Sequence, residues 1–66
     1  MDITWNKSAD TAWFTPHSHR GYTATIALAS NTYTITITNG VDADVVVAYE
    51  TLANAKNAFR KFLFTK

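Results

Sequence analysis

The segment from Tyr22 to Thr38 constrains the fold more than any other part of this chain. Its two halves, YTATIALA and TYTITIT, alternate apolar with small polar residues and are joined by Ser30-Asn31. A period of two is typical of a strand with one buried face and one solvated face. Asn tolerates the positive φ that a two-residue hairpin turn needs. The segment therefore predicts a tight antiparallel hairpin.

The register of this hairpin follows from the side chains that must share the buried face. That face pairs Leu28 with Tyr33, Ile26 with Ile35 and Ala24 with Ile37. The opposite face then carries six threonines, Thr23, Thr25, Thr32, Thr34, Thr36 and Thr38. A slip of one residue would move these threonines into the core, so the register is strongly specified.

A third strand is predicted after the hairpin. Thr38-Asn39-Gly40 has the form of a three-residue hairpin loop with Gly in the left-handed position. This loop would pair Ile37 with Val41 and would continue with Ile35 opposite Ala43 and Tyr33 opposite Val45. The core face of the third strand would carry Val41, Ala43, Val45, Val47 and Tyr49, and its outer face Asp42, Asp44, Val46 and Ala48.

An amphipathic helix is predicted from Thr51 to Phe64, with Thr51 as its N-cap. One stripe at helical spacing is apolar and consists of Leu52, Ala55, Phe59, Phe62 and Leu63. The other side carries Asn54, Lys56, Asn57, Arg60 and Lys61. The cations near the end of the helix suit its dipole.

The N-terminal part is less regular. Ile3–Lys7 and Ala12–Thr15 are short strand candidates, interpreted as one interrupted edge strand or as a strand and a loop, and Pro16 ends them. The predicted fold class is α+β. It consists of a small antiparallel meander of three to four strands with one C-terminal amphipathic helix packed on one face. Residues 1–66 are predicted to form a single domain.

Composition narrows the class of protein. The 66 residues include no Cys, which excludes disulfides and removes the commonest zinc ligands. The N-terminus lacks a signal-peptide pattern, and the apolar runs are too short to span a membrane, so a cytoplasmic protein is predicted. The formal net charge is only +1, with the basic residues concentrated in the helix. Such a chain lacks the overall basicity typical of nucleic-acid binders.

The sequence contains no recognisable catalytic site. It has no nucleophile elbow and no Gly-rich phosphate loop, so the protein is predicted not to be an enzyme and to need no cofactor. His17 and His19 would supply two metal ligands at most, and no metal site is predicted.

Two groups of residues are candidates for partner contact. The first is the loop at residues 16–21 with its flanks, and it consists of Trp13, Phe14, His17, His19, Arg20 and Tyr22. Trp, Tyr and Arg are the residue types that dominate interface hot spots. The second is the basic helix face, Lys56, Arg60 and Lys61, which suits phosphate contacts. The threonine face is interpreted as a solvated strand face, with a flat binding face or a sheet-to-sheet dimer contact as alternatives.

Two resemblances bear on these candidates. The chain resembles the three-strand-plus-helix domains of the plant AP2 and integrase arm-binding type. The resemblance lies in Gly21–Ile26, in the strand pair that follows, and in Tyr49–Lys56. Those domains read DNA with Arg and Trp on the exposed sheet face, where this chain has threonine and alanine. The resemblance therefore implies the fold more than DNA binding. Tyr49-x-Thr51-Leu52-Ala53-x-Ala55-Lys56 is also similar to the helix start of short bacteriophage-encoded strand-strand-strand-helix proteins, several of which bind and block a host factor, including defence nucleases.

The predicted function is that of a small non-enzymatic binding protein. The phage resemblance implies an accessory protein that inhibits a host defence protein in the host cytoplasm, in the manner of an anti-CRISPR protein. The alternative is a DNA- or RNA-binding module that uses the basic helix and the aromatic, His and Arg loop. The sequence also leaves open a homodimer formed through the threonine face or an edge strand.

Overall fold

The computed structural model describes residues 3–65 and contains an antiparallel five-stranded sheet followed by one helix. The elements are β1 (Asn6–Ala9), β2 (Ala12–Phe14), β3 (Thr23–Ala29), β4 (Thr32–Thr38), β5 (Val45–Tyr49) and α1 (Leu52–Phe64). The strands lie in the sheet in their sequence order, which makes the sheet a meander. The predicted α+β class with a C-terminal helix is confirmed.

The β3–β4 hairpin has the predicted register. Ile26 lies opposite Ile35, and the predicted pairs on both faces are observed. Ser30 and Asn31 form the turn with φ values of 50° and 62°. Positive φ at both central residues is the requirement of a type I′ turn, whose twist matches that of the strands it joins.

The N-terminal segment differs from the prediction. Instead of one interrupted edge strand, β1 and β2 form a hairpin of their own across Asp10-Thr11, and the sheet gains a strand. The register shifts between Lys7 and Ala9, which is an irregularity of the β-bulge type. The strands have only four and three residues, too few for a period of two to be visible in the sequence.

The register of β5 also differs from the prediction. Ile37 pairs with Val45 instead of Val41, a shift of four residues. The cause is the Asn39 side chain, whose Oδ1 accepts hydrogen bonds from the backbone N–H groups of Val41 and Asp42 at 2.9 and 2.8 Å. These bonds stabilise a longer loop, residues 39–44, and leave Val41 and Ala43 outside the sheet.

Helix α1 covers one face of the sheet and closes the core. The buried side chains come from both layers: Ala24, Ile26, Ile35, Ile37, Ala55, Phe59 and Leu63. Ile35 and Phe59 are completely buried, and burial of each such side chain contributes about 1.5–3 kcal/mol. The predicted apolar stripe of the helix is confirmed, with Leu52 and Phe62 half-buried at its margins.

Both ends of α1 are held by side chains. Thr51 is the N-cap, as predicted, and its Oγ1 accepts a hydrogen bond from the Asn54 N–H at 3.1 Å. At the other end, Nη1 of Arg20 donates to the Leu63 carbonyl oxygen at 2.8 Å. Carbonyl groups in the last turn of a helix have no partner within the helix. Arg20 therefore ties the loop before β3 to the end of α1.

Candidate functional site

Strand β5 is the most exposed apolar element of the molecule. Val45, Val46, Val47 and Ala48 are all exposed, and 59% of Val46 is accessible to solvent. The sequence predicted Val45 and Val47 as core residues. They do lie on the helix side of the sheet, but α1 covers them only in part, and 37% of Val45 and 41% of Val47 stay exposed. Val41, also predicted as core, is 88% exposed in the preceding loop.

The two edges of the sheet are built differently. Edge strand β1 is short, contains a register shift, and carries Lys7, which lies 3.7 Å from Asp10. A charged side chain and a bulge are devices that discourage pairing with another chain. Edge strand β5 pairs regularly with β4 and contains no charged residue and no proline. Residues 45–49 therefore form an edge suited to receive another strand.

Acidic residues flank β5. Asp42 and Asp44 precede it and Glu50 follows it, and all three are exposed. The Asp42 carboxylate accepts a hydrogen bond from Nδ2 of Asn39 at 3.0 Å, which fixes its position beside the start of the strand. An uncharged strand thus has negative charge at both of its ends.

Two hollows lie on the helix side of β5, one at each end. The hollow at the start of the strand is about 230 Å³ in volume and is lined by Tyr22, Ile37, Asn39, Asp42, Ala43, Val45 and Phe62. The hollow at the end of the strand is about 220 Å³ in volume and is lined by Tyr49, Asn54, Asn57, Ala58 and Lys61. A side chain of an added strand would have room in either hollow.

The aromatic residues predicted for partner contact do not share one surface. Trp13 pairs with Ile26 on the core side of the sheet, whereas its neighbour Phe14 pairs with Thr25 on the opposite side. The Trp13 ring packs against Tyr33, with 5.8 Å between the ring centroids. Both Trp13 and Phe14 are half-buried.

The remaining loop candidates surround a tight turn. His19 and Tyr22 exchange two backbone hydrogen bonds of 2.8 and 2.9 Å, with Arg20 and Gly21 between them at φ values of 55° and 85°. The His19 ring lies edge-on to Phe59 in the core, and the Tyr22 ring packs against Phe62 at 5.0 Å. Of the six predicted contact residues, only His17 and Arg20 are exposed.

The predicted basic helix face is divided by the fold. Lys56 is half-buried, and Lys61 lies in the hollow beside Tyr49. Arg60 instead meets Arg20 at a third hollow of about 110 Å³, whose other lining residues are Leu63 and Phe64. The Phe64 side chain is 80% exposed. Two arginines 40 positions apart in the chain thus join into one positive corner with an exposed aromatic ring.

Thr15 positions the loop and has no strong signal in the sequence. It is buried after the end of β2, where its backbone N–H donates to the Ala24 carbonyl at 3.0 Å. Its Oγ1 accepts a hydrogen bond from the Ala24 N–H, also at 3.0 Å. The Thr15 side chain thus continues the pairing of β2 with β3 at the point where Pro16 turns the chain away.

The metal-ligating residue types are dispersed in the part of the chain that the structure describes. Within residues 3–65, no three His, Asp or Glu side chains come together as a metal site. His17 is exposed in the loop, and Nε2 of His19 is buried with no hydrogen-bond partner among these residues. In the same part of the chain, the helix is too short and too polar to cross a bilayer.

Comparison of the chain with family models, curated protein sequences and solved structures found no match. The resemblances to AP2-type domains and to short phage proteins therefore stay predictions.

Proposed function

We propose that this chain is a non-enzymatic protein-binding domain whose principal contact surface is strand β5. The observation that supports the proposal is the exposure of four consecutive apolar residues, 45–48, on a strand whose outer edge has no neighbouring strand within residues 3–65. Exposed apolar surface rimmed by polar residues marks protein interaction sites, and here it lies on both faces of one edge strand. The acidic residues at its two ends form such a rim.

The aromatic loop has a smaller part in this proposal than the sequence predicted. Trp13, His19 and Tyr22 already pack against other rings, so their contribution is to stability. Of the exposed members of the loop, Arg20 already donates to the Leu63 carbonyl oxygen, and His17 remains available as a polar contact at a rim. The narrower prediction, a phage accessory protein that inhibits a host defence protein, remains part of the proposal and is tested by identifying the partner.

The test is affinity capture from lysate of the source organism, with identification of the captured proteins by mass spectrometry. The wild-type protein is compared with Val46→Glu, which places a charge on β5, and with Ser8→Glu, which places the same charge on the opposite edge. We expect a defined set of proteins that the wild type and Ser8→Glu capture and Val46→Glu loses. Equal capture by all three proteins would contradict the assignment to β5.

The second candidate, nucleic-acid binding, is favoured by the meeting of Arg20 and Arg60 beside exposed Phe64. Guanidinium groups contact phosphates, and an exposed aromatic ring stacks on unpaired bases. A salt titration separates the candidates. Binding to phosphates weakens by about 0.7–0.9 of a decade per decade of salt for each contact made. An Arg60→Ala variant that loses binding while Val46→Glu keeps it would favour this candidate.

A further inference from the structure

We infer that β5 binds an extended segment of the partner protein as a sixth strand, and that this segment carries an uncharged β-branched centre between basic residues. The inference rests on the proposed function and specifies its partner. Addition of a strand to an exposed sheet edge is a recurring mode of peptide recognition, in which the main chain supplies affinity and side-chain pockets supply specificity.

The backbone of β5 supports this mode. The strand is bonded to β4 along one side over five residues, Val45 to Tyr49, and has no neighbour on its other side within residues 3–65. Alternate N–H and C=O groups of an edge strand point away from the sheet and are free to pair. Five residues span about 17 Å, which is the ordinary length of a strand pairing.

The side chains of β5 indicate what the partner strand carries at its centre. Val45 and Val47 are exposed on the helix side, and Val46 and Ala48 are exposed on the other side. An added strand would place its own side chains beside these on both faces, and cross-strand pairs of β-branched residues stabilise a sheet. A charged residue at the centre of the partner strand would lose its solvation with no opposite charge on β5 to compensate.

The charges around β5 indicate what the partner strand carries at its ends. On the helix side, the hollow at the start of the strand is lined by Asp42 and has an apolar floor formed by Tyr22 and Phe62. Asp44 is exposed directly before the strand. Lys and Arg suit such a site because their stems pack on apolar surface while the charged group reaches a carboxylate. At the other end, Glu50 is exposed and would favour a second basic residue. The nearby cation Lys61 lies on the helix side of the strand, beside Tyr49.

The same charges argue against a second copy of this chain as the occupant. Antiparallel pairing of two β5 strands over their full length is centred on Val47 and places Asp44 of one copy opposite Glu50 of the other, at both ends. Like charges directly opposite each other destabilise strand pairing. A different protein with basic residues at these positions makes the pairing that β5 cannot make with itself.

The experiment uses two capped heptapeptides whose five central residues alternate valine and threonine. One peptide has lysine at both ends and the other has glutamate at both ends. Binding is followed by nuclear magnetic resonance of the ¹⁵N-labelled protein, up to millimolar peptide. We expect the lysine peptide to bind about tenfold more tightly at low salt, since two attractive pairs replace two repulsive ones. The shifted amide signals should lie in β5, and salt should reduce the ratio.

A charge-reversal pair makes this test specific. Asp44→Lys should reduce or abolish the preference for the lysine peptide. Asp10→Lys makes the same change of charge in the β1–β2 turn, at the opposite edge, and should leave the preference as in the wild type. Equal loss of preference in both variants would mean that only the overall charge matters, and would overturn the proposed site.

The outcomes separate the inference from the proposed function. If neither peptide shifts the β5 signals while capture of a protein partner still depends on Val46, the surface is correct and strand addition is wrong. If the peptides bind but shift signals elsewhere, strand addition at β5 is also wrong. If protein capture is insensitive to Val46→Glu, the proposed function fails together with the inference.

Discussion

At the scale of single residues, the fold depends on polar side chains that replace backbone pairing where strands stop. Thr15 does so at the end of β2, and Asn39 does so after β4. Neither role is evident in the sequence, because Thr and Asn occur throughout this chain in positions that need no special bond. Their partners are known only once the strands are placed.

Replacement of Thr15 by Val tests the first of these roles. Val has nearly the same shape but cannot accept the hydrogen bond from the Ala24 N–H, which would be left buried and unpaired. Such a loss costs about 1–3 kcal/mol. We expect the free energy of unfolding in urea to fall by that amount for Thr15→Val and much less for Thr15→Ser, which keeps the hydroxyl. Equal stability of the two variants would show that the hydroxyl contributes nothing.

At the scale of elements, the sequence predicted the β3–β4 hairpin and the helix because local and long-range signals agree there. Alternation, a two-residue turn and positive φ at Ser30 and Asn31 all specify one register. For β5 the local and long-range signals did not agree. Alternation tells faces apart but not slips by an even number of residues, and the observed slip of four preserves the faces. Gly40 indicated a short loop, whereas the Asn39 side chain stabilises a longer one.

The Ser30-Asn31 turn offers a way to raise stability without touching the core. Asn31 has a φ of 62°, a conformation that costs glycine almost nothing. Asn31→Gly should increase the free energy of unfolding by about 0.5 kcal/mol, because glycine is the preferred residue at this position of a type I′ turn. Asn31→Ala is the matched control and should be destabilising. A stabilising effect of alanine would contradict the assigned turn.

At the scale of the whole molecule, exposure of β5 follows from its place at the edge of the sheet. Helix α1 packs against β4 and β5 on one face only, and β5 has no neighbouring strand on its outer side within residues 3–65. Val45, Val46 and Val47 therefore keep 37–59% of their surface exposed. The sequence carried a sign of this site: Val46 and Ala48 are apolar on the face predicted to be outward.

The charges flanking β5 give a prediction about assembly. The wild-type chain should remain a monomer of 7.3 kDa in light scattering, because self-pairing of β5 aligns Asp44 with Glu50. Asp44→Lys turns both of these contacts into attractive ones and should promote a dimer that weakens in high salt. The double variant Asp44→Lys with Glu50→Lys restores repulsion and should be monomeric again. A monomeric single variant, or a dimeric double variant, would contradict this account.

Amide hydrogen exchange of the dilute protein, resolved by residue, tests the central claim most directly. We expect the amides of β3 and β4 at the buried core to exchange slowest. In β5, the amides bonded to β4 should be protected, and the alternate ones should exchange nearly as fast as those of the loop at residues 39–44. If both sets of β5 amides are equally protected in the isolated chain, the edge is already covered and is not a site for a partner strand.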